Sequence, residues 1–189
     1  MPGKTPGCDV LADRSVYVTP QLYYQHADGI LETLKNKGTT ITYQAHDQDV
    51  TPFPSSFRML TEAKSSKAPG AVVSLACQGS KLALGPSSFS KSECEDDILA
   101  TIHFPSCWNG KDHDKEDNSH VEYSSGIVGG ECPSTHPIKL VHLSYEIVYA
   151  AESINQDGGK FVSDNGENTG RLSDVSSILN TADHVHLRS

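Results

Sequence analysis

IKLVHLSYEIVYA, residues 138–150, is the most regular stretch of this chain. Val141, Leu143, Tyr145, Ile147 and Tyr149 alternate with His142, Ser144 and Glu146. A period of two sends the first set to one side of an extended backbone and the second to the other, so the stretch predicts a strand with one buried face and one polar outer face. DILATIHFPSC (97–107) repeats the pattern, with Ile98, Ala100, Ile102 and Phe104 on one side and Thr101 and His103 on the other. SVYVTPQLYYQ (15–25), TTITYQ (39–44), PFPSSFRMLTE (52–62) and GAVVSLAC (70–77) carry the β-branched and aromatic residues that favour strands. DGILETLKNKG (28–38) reads either as a short helix or as a long hairpin connection.

Between these stretches lie clusters of Gly, Pro, Ser and Asp, such as GPSSFSKSECEDD (85–97), YSSGIVGGECPSTHP (123–137) and NQDGGKFVSDNGENTG (155–170). They are too long for tight hairpins. The expected fold is therefore mainly β, an antiparallel sandwich or barrel-like body with long loops. One short C-terminal helix is expected in LSDVSSILNTA (172–182). There Leu172, Val175, Ile178 and Leu179 recur at helical spacing, Ser173 suits the N-cap, and Asp174 suits the first turn. At 189 residues, with no internal repeat or dividing linker, residues 1–189 are expected to form a single domain.

Fifteen Lys and Arg against 24 Asp and Glu give a formal charge of −9, which repels a phosphate backbone; nucleic acid is not an expected partner. No apolar run approaches the roughly 20 residues of a bilayer-crossing helix, so no membrane span is expected. MPGKTPGCDV has no apolar core of a secretory signal. The five cysteines contain no C-x-x-C pair, and a disulfide framework is the better reading, with Cys77–Cys94 and Cys107–Cys132 as preferred pairs and Cys8 left over. Each bond would close a loop for which chain entropy gives about 3 kcal/mol. Five reduced cysteines remain the alternative, since sequence does not fix connectivity.

Chemistry-bearing residues concentrate in FPSCWNGKDHDKEDNSHVEY (104–123), which holds five acidic side chains and two histidines. His120, or His136 beyond the loop, has the near-neutral pKa of a general base, and Asp114 or Asp117 would orient it or act as partner acid. Against that stands a purely structural reading. Asp117 caps a turn, His120 bonds a backbone carbonyl, and Trp108 closes the core edge beside a disulfide. The spacing fits neither an EF-hand nor H-E-x-x-H, so a metal is not expected, and no cofactor is either. Arg58 is a candidate clamp for an acidic partner in the loop. His142, Ser144 and Glu146 resemble part of a triad, but residues on one strand face do not by themselves reach nucleophile–base geometry. His184 and His186 form an H-x-H pair read as a frayed tail.

PFPSSFRM (52–59), FPSCWNGK (104–111), DNSHVEY (117–123), CPSTHPIKL (132–140) and YEIVY (145–149) follow in the order and approximate spacing of a known family. The chain resembles the secreted fungal domain of unknown function family nineteen-ninety-six, marked by FPSCWDGK and CPSTHPV motifs and sometimes found beside carbohydrate-binding modules. The likeness runs from about DRSVYVTPQLYY (13–24) to FVSDNGENTG (161–170). The family usually has an upstream Ser-His-Val-His segment and a later aromatic-Gly stretch, and neither is matched here, so the chain is expected to be a truncated or divergent member. Matching by position are Cys107, Trp108, Gly110, Lys111, Asp114, Asp117, His120, Cys132, His136 and Glu146. The resemblance implies an extracellular-type domain associating with cell-wall or other polysaccharide. His120, His136, Asp114, Asp117 and Glu146 would be its catalytic candidates, and Trp108, Lys111 and Arg58 its ligand contacts, around a polar cleft formed by the Trp108–His136 loops. A polysaccharide-cleaving hydrolase or lyase and an inactive relative are the alternatives.

Overall fold

In the computed structural model the alternating stretch forms β12 (His142–Tyr149), which runs antiparallel between β4 (Asn36–Gln44) and β8 (Ile98–His103). The structure describes residues 15–19, 21–46, 49–62, 68–70, 72–78, 83–84, 96–152, 154–155, 157–163 and 176–180. β8 continues the sheet to β6 (Val73–Cys77) and β7 (Ala83–Leu84), giving five strands in the order β4-β12-β8-β6-β7. Register follows the apolar period. Tyr145 lies opposite Ile41 and Ile102, Ile147 opposite Ala100, and Ala100 opposite Leu75. Slipping β12 by one residue would exchange these side chains for Ser144 and Glu146, which is why this register is the stable one. Leu143, Tyr145, Ile147, Ile98, Ile102, Val73 and Leu75 are almost wholly buried, and each such side chain contributes about 2 kcal/mol through its removal from water.

Three smaller antiparallel sheets complete the mainly β architecture. β1 (Val16–Val18), β14 (Ser176–Asn180) and β5 (Arg58–Glu62) pair in the order β1-β14-β5. β13 (Lys160–Ser163), β2 (Leu22–Gln25) and β3 (Leu31–Thr33) form the second. β10 (Val121–Glu122), β9 (Cys107–Trp108) and β11 (Ile138–Lys139) form the third. All three supply one contiguous core with the large sheet: Met59 from β5, Leu22, Tyr24 and Phe161 from the second, and Val121 from the third. Tyr17 stands edge-on to Tyr145, and Phe104 packs on the same ring. The outer edge of β4 carries Lys37, Thr39 and Thr40, all exposed. Lys37 Nζ reaches the Asp97 carboxylate at 2.6 Å, and a charged edge of this kind discourages strand addition.

Of the two readings left open for residues 28–38 the structure takes the extended one: His26–Ile30 turns β2 into β3, and Asn36–Gly38 already belong to β4. One expectation changes. The helix expected across 172–182 is a strand where it is described: Ser176–Asn180 pairs with β1 on one side and β5 on the other. An isolated helix of about eleven residues is marginal in water. Two ladders of backbone hydrogen bonds outweigh its local spacing. Residues 172–175 and 181–182 of that stretch, Cys8, and His184 with His186 lie outside the described residues.

Candidate functional site

Cys107 is fully buried on β9 and bonded to Cys132, with Cα atoms 5.6 Å apart. Cys77 is also disulfide-bonded; Cys94, its expected partner, lies outside the described residues. Directly after Cys107, the Asn109 side chain accepts from the backbone N–H of Lys111 and of Asp112, at 2.9 and 3.1 Å. Gly110 sits at φ 77°, and a Cβ there would come within 2.8 Å of the Ile138 side chain, so both conformation and space ask for glycine. Trp108 Nε1–H donates to the Asp112 carbonyl at 2.7 Å, and its indole meets Phe57 edge-on. Trp108 thus closes the core edge beside the disulfide. Lys111 is exposed and reaches no protein group among the described residues.

The rest of the acidic loop is spent on the free edge of β5. Arg58 N–H donates to the His113 carbonyl at 2.9 Å, and buried His120 donates from Nε2 to the Arg58 carbonyl at 2.7 Å. Asn118, at φ 55°, meets Leu60 with both ends of its amide: Oδ1 accepts from Leu60 N–H and Nδ2 donates to Leu60 C=O, each at 2.9 Å. Arg58 Nη1 pairs with Asp114 at 2.9 Å. An edge strand left bare would template further pairing, and these side chains complete its ladder instead. Asp117 Oδ1 accepts from Ser119 N–H at 3.0 Å. Hydrogen bonds from Ser119 hold the Asp117 carboxyl below the usual carboxylate range. His136 is saturated, donating from Nε2 to the Ser119 carbonyl and accepting at Nδ1 from the Thr135 hydroxyl, both at 3.0 Å. Burial pushes the His120 pKa down against the pull of the Arg58 carbonyl and of Asp114, Asp112 and Asp117. The loop therefore gathers Arg58, Trp108, Asp114, Asp117, His120 and His136, and each of these side chains makes a hydrogen bond within the fold.

Asn118→Ala is expected to lower stability by about 2 kcal/mol, because two backbone hydrogen bonds are lost and alanine is strained at positive φ. Asn118→Gly, free of the strain, should recover only part of this. Urea unfolding of the two variants measures the split, and equal stability of Asn118→Gly and the parent would show that the Leu60 bonds contribute nothing.

A cleft of about 520 Å³ lies between residues 122–125 and 131–135, with Pro69, Tyr123 and Pro133 in its wall beside Glu122 and Glu131. Trp108, Lys111 and Arg58 do not line it. Its hydroxyls are engaged. Ser124 donates to the Gly126 and Gly129 carbonyls, Ser125 accepts from Glu131 N–H, and Thr135 holds His136.

Glu146 lies elsewhere, on the outer face of the five-stranded sheet. Register places Ser144 opposite His103 and Thr42, and Glu146 opposite Thr101 and Thr40. His142, two residues from Ser144 on that face, meets His103 across the strands, Nε2 to Nδ1 at 3.1 Å. His46 adds a third imidazole, 5.7 Å from His142 between ring centroids. The outer face is not uniformly solvated as expected, because His142 is only 2% exposed. Burial, then the neighbouring His103 and His46, push its pKa down to about 4. Burial also lowers His103, opposed by the Glu146 charge. Unlike the loop, this face keeps unengaged polar groups. Thr40, Thr42, Thr101, Ser144 and Glu146 make no side-chain hydrogen bond among the described residues, and His103 Nε2 is neither bonded nor sealed from solvent.

The sequence reading does not single out His46 or His103. The polar alternation of β8 and β12 was the available signal; the missing piece was the register that sets His103 against Ser144. Among the described residues no group of three or more His, Cys, Asp or Glu is arranged to hold a metal ion, and no helix is long and apolar enough to cross a membrane. Neither a curated protein nor a solved structure matches the chain. A family model does, over residues 3–174, and the chain belongs to that family, Domain of unknown function (DUF1996).

Proposed function

We propose that this chain is an extracellular-type domain that associates with neutral polysaccharide through the polar outer face of its large sheet. The observation that carries the reading is the set of unengaged groups on that face: His103 Nε2, the hydroxyls of Ser144, Thr101 and Thr42, and the Glu146 carboxylate. Sugars are recognised by alternating donors and acceptors on a rigid surface, and strands fix such groups better than loops. The formal charge of −9 disfavours anionic polymers. The Cys107–Cys132 bond suits an oxidising compartment.

Binding to a panel of insoluble and soluble polysaccharides tests this. Glu146→Gln and His103→Phe are each expected to weaken binding about tenfold, the worth of one good hydrogen bond. Asn118→Ala, inside the loop closed by the disulfide and bonded to Leu60 of β5, should lower stability without changing affinity in the remaining folded protein. Absence of binding to every polysaccharide in the panel would overturn the reading. A second reading, acid/base cleavage, draws on the His103–His142 contact beside Glu146. Release of reducing ends that disappears with Glu146→Gln would favour it over binding alone.

A further inference from the structure

We infer that His142 locks His103 into one tautomer, so that the sheet face presents the Nε2–H of His103 as an uncharged donor and prefers acetamido sugars, whose amide carbonyl accepts it, to the corresponding free amines. The inference rests on the polysaccharide reading above and names the ligand class for the same face.

The two neutral rings share one proton between His142 Nε2 and His103 Nδ1, which are 3.1 Å apart. Two arrangements are available. If His142 donates, its own Nδ1 keeps a bare lone pair and His103 carries its hydrogen on Nε2. If His103 donates, His142 must carry its hydrogen on Nδ1 and His103 Nε2 is the lone pair. His142 Nδ1 decides between them, because it is buried and has no partner. A stranded N–H in the interior is rarer and costlier than an under-satisfied acceptor. The first arrangement is therefore the stable one.

His120 supplies an internal precedent. Its Nε2 faces the Arg58 carbonyl, which only accepts, so Nε2 must carry the hydrogen. In the neutral ring its Nδ1 is then a lone pair, and that atom too is buried and unpartnered. The same fold thus already tolerates one buried imidazole lone pair beside the core.

Locked this way, His103 offers a ligand only a hydrogen, while Glu146 on the same face accepts only. An acetamido group carries both complements, a carbonyl that accepts and an N–H that donates. A free sugar amine at neutral pH is a cation with donors alone, so it satisfies Glu146 and leaves His103 Nε2–H facing another donor. Long-range attraction to a chain of charge −9 favours the amine. Preference for the acetylated form would therefore run against simple electrostatics.

Long-range ¹⁵N–¹H correlation at pH 7 on the ligand-free protein reads the tautomer directly, and binding of N-acetylated and deacetylated chito-oligosaccharides of equal length reads the preference. The expected results are a single Nε2–H form of His103 and at least fivefold tighter binding of the acetylated oligomer. His142 acts as a positioning residue. His142→Phe should let His103 sample both tautomers and reduce the preference, while His142→Gln, whose amide can still donate to His103 Nδ1, should restore both. A ligand-free spectrum showing Nδ1–H on His103, or a mixture of forms, overturns the inference whether or not polysaccharide binds. The expected tautomer with tighter binding of the deacetylated oligomer overturns the acetamido assignment. The expected tautomer with no polysaccharide bound at all overturns the reading on which that assignment rests.

Discussion

Replacing Cys107 and Cys132 together by alanine is expected to lower stability by about 3–4 kcal/mol, the chain-entropy value for a crosslink spanning 25 residues. For a domain of this size that corresponds to a fall of roughly 10 °C in Tm. The entropy of the unfolded loop is one part of the effect. Cys107 sits on β9 between β10 and β11, where Val121 and Ile138 both face Trp108 in two-residue pairings too short to persist alone. Without the crosslink, those pairings must also hold the segment that supplies His113, Asn118 and His120 to the edge of β5. Thermal unfolding of the double variant should therefore be accompanied by early loss of amide protection at Arg58 and Leu60. A Tm within about 2 °C of the parent would mean that the loop is held by its hydrogen bonds to β5 and that the sulfur bridge is dispensable.

That dependence explains which parts of the molecule could be read from the sequence. The central sheet was legible because Tyr145 and Ile102 sit in runs whose period is two, and burial of one face converts that period into a register. The structural roles of the loop were legible too: Asp117 at a turn, His120 on a carbonyl and Trp108 against the core are contacts that each residue type favours locally. Three features were not legible. SVYVTPQLYYQ reads as one strand, yet Val16–Val18 and Leu22–Gln25 join different sheets, and no local signal assigns strands to sheets. Ser176–Asn180 has helical spacing around it and becomes a strand because β1 and β5 both need a partner, which is a tertiary demand. His103 and His142 lie 39 residues apart in sequence, and only the pairing of β8 with β12 makes them neighbours. The proposed contacts accordingly lie on a sheet face with unbonded polar groups, whereas Arg58, Asp114, Asp117, His120 and His136 are bonded within the fold.

The buried imidazole at one end of that face makes a second large prediction: stability should fall by about 3 kcal/mol between pH 6.5 and pH 4. His142 titrates near 6.5 in the unfolded chain and at about 4 in the fold. Between those values the unfolded state binds the extra proton, so stability rises with pH; it is fully present above pH 6.5 and is lost as pH falls toward 4. The lowered pKa values of His103 and His120 have the same sign. His26 has the opposite one. Its hydrogen bond to Glu32, and then the Asp157 charge, raise its pKa, so its contribution is present below its unfolded pKa and is lost as pH rises through the raised folded value. Stability should therefore peak near neutrality, with an acid limb set mainly by His142 and a gentler alkaline limb set by His26. His142→Gln should flatten the acid limb and leave the alkaline one, and Glu32→Gln, which removes the main cause of the raised His26 value, should do the reverse. Denaturant midpoints collected from pH 4.5 to 8.5 separate the two. An acid limb of unchanged slope in His142→Gln would mean that carboxylate protonation causes the loss, and that His142 accepts its proton in the fold as readily as in the open chain.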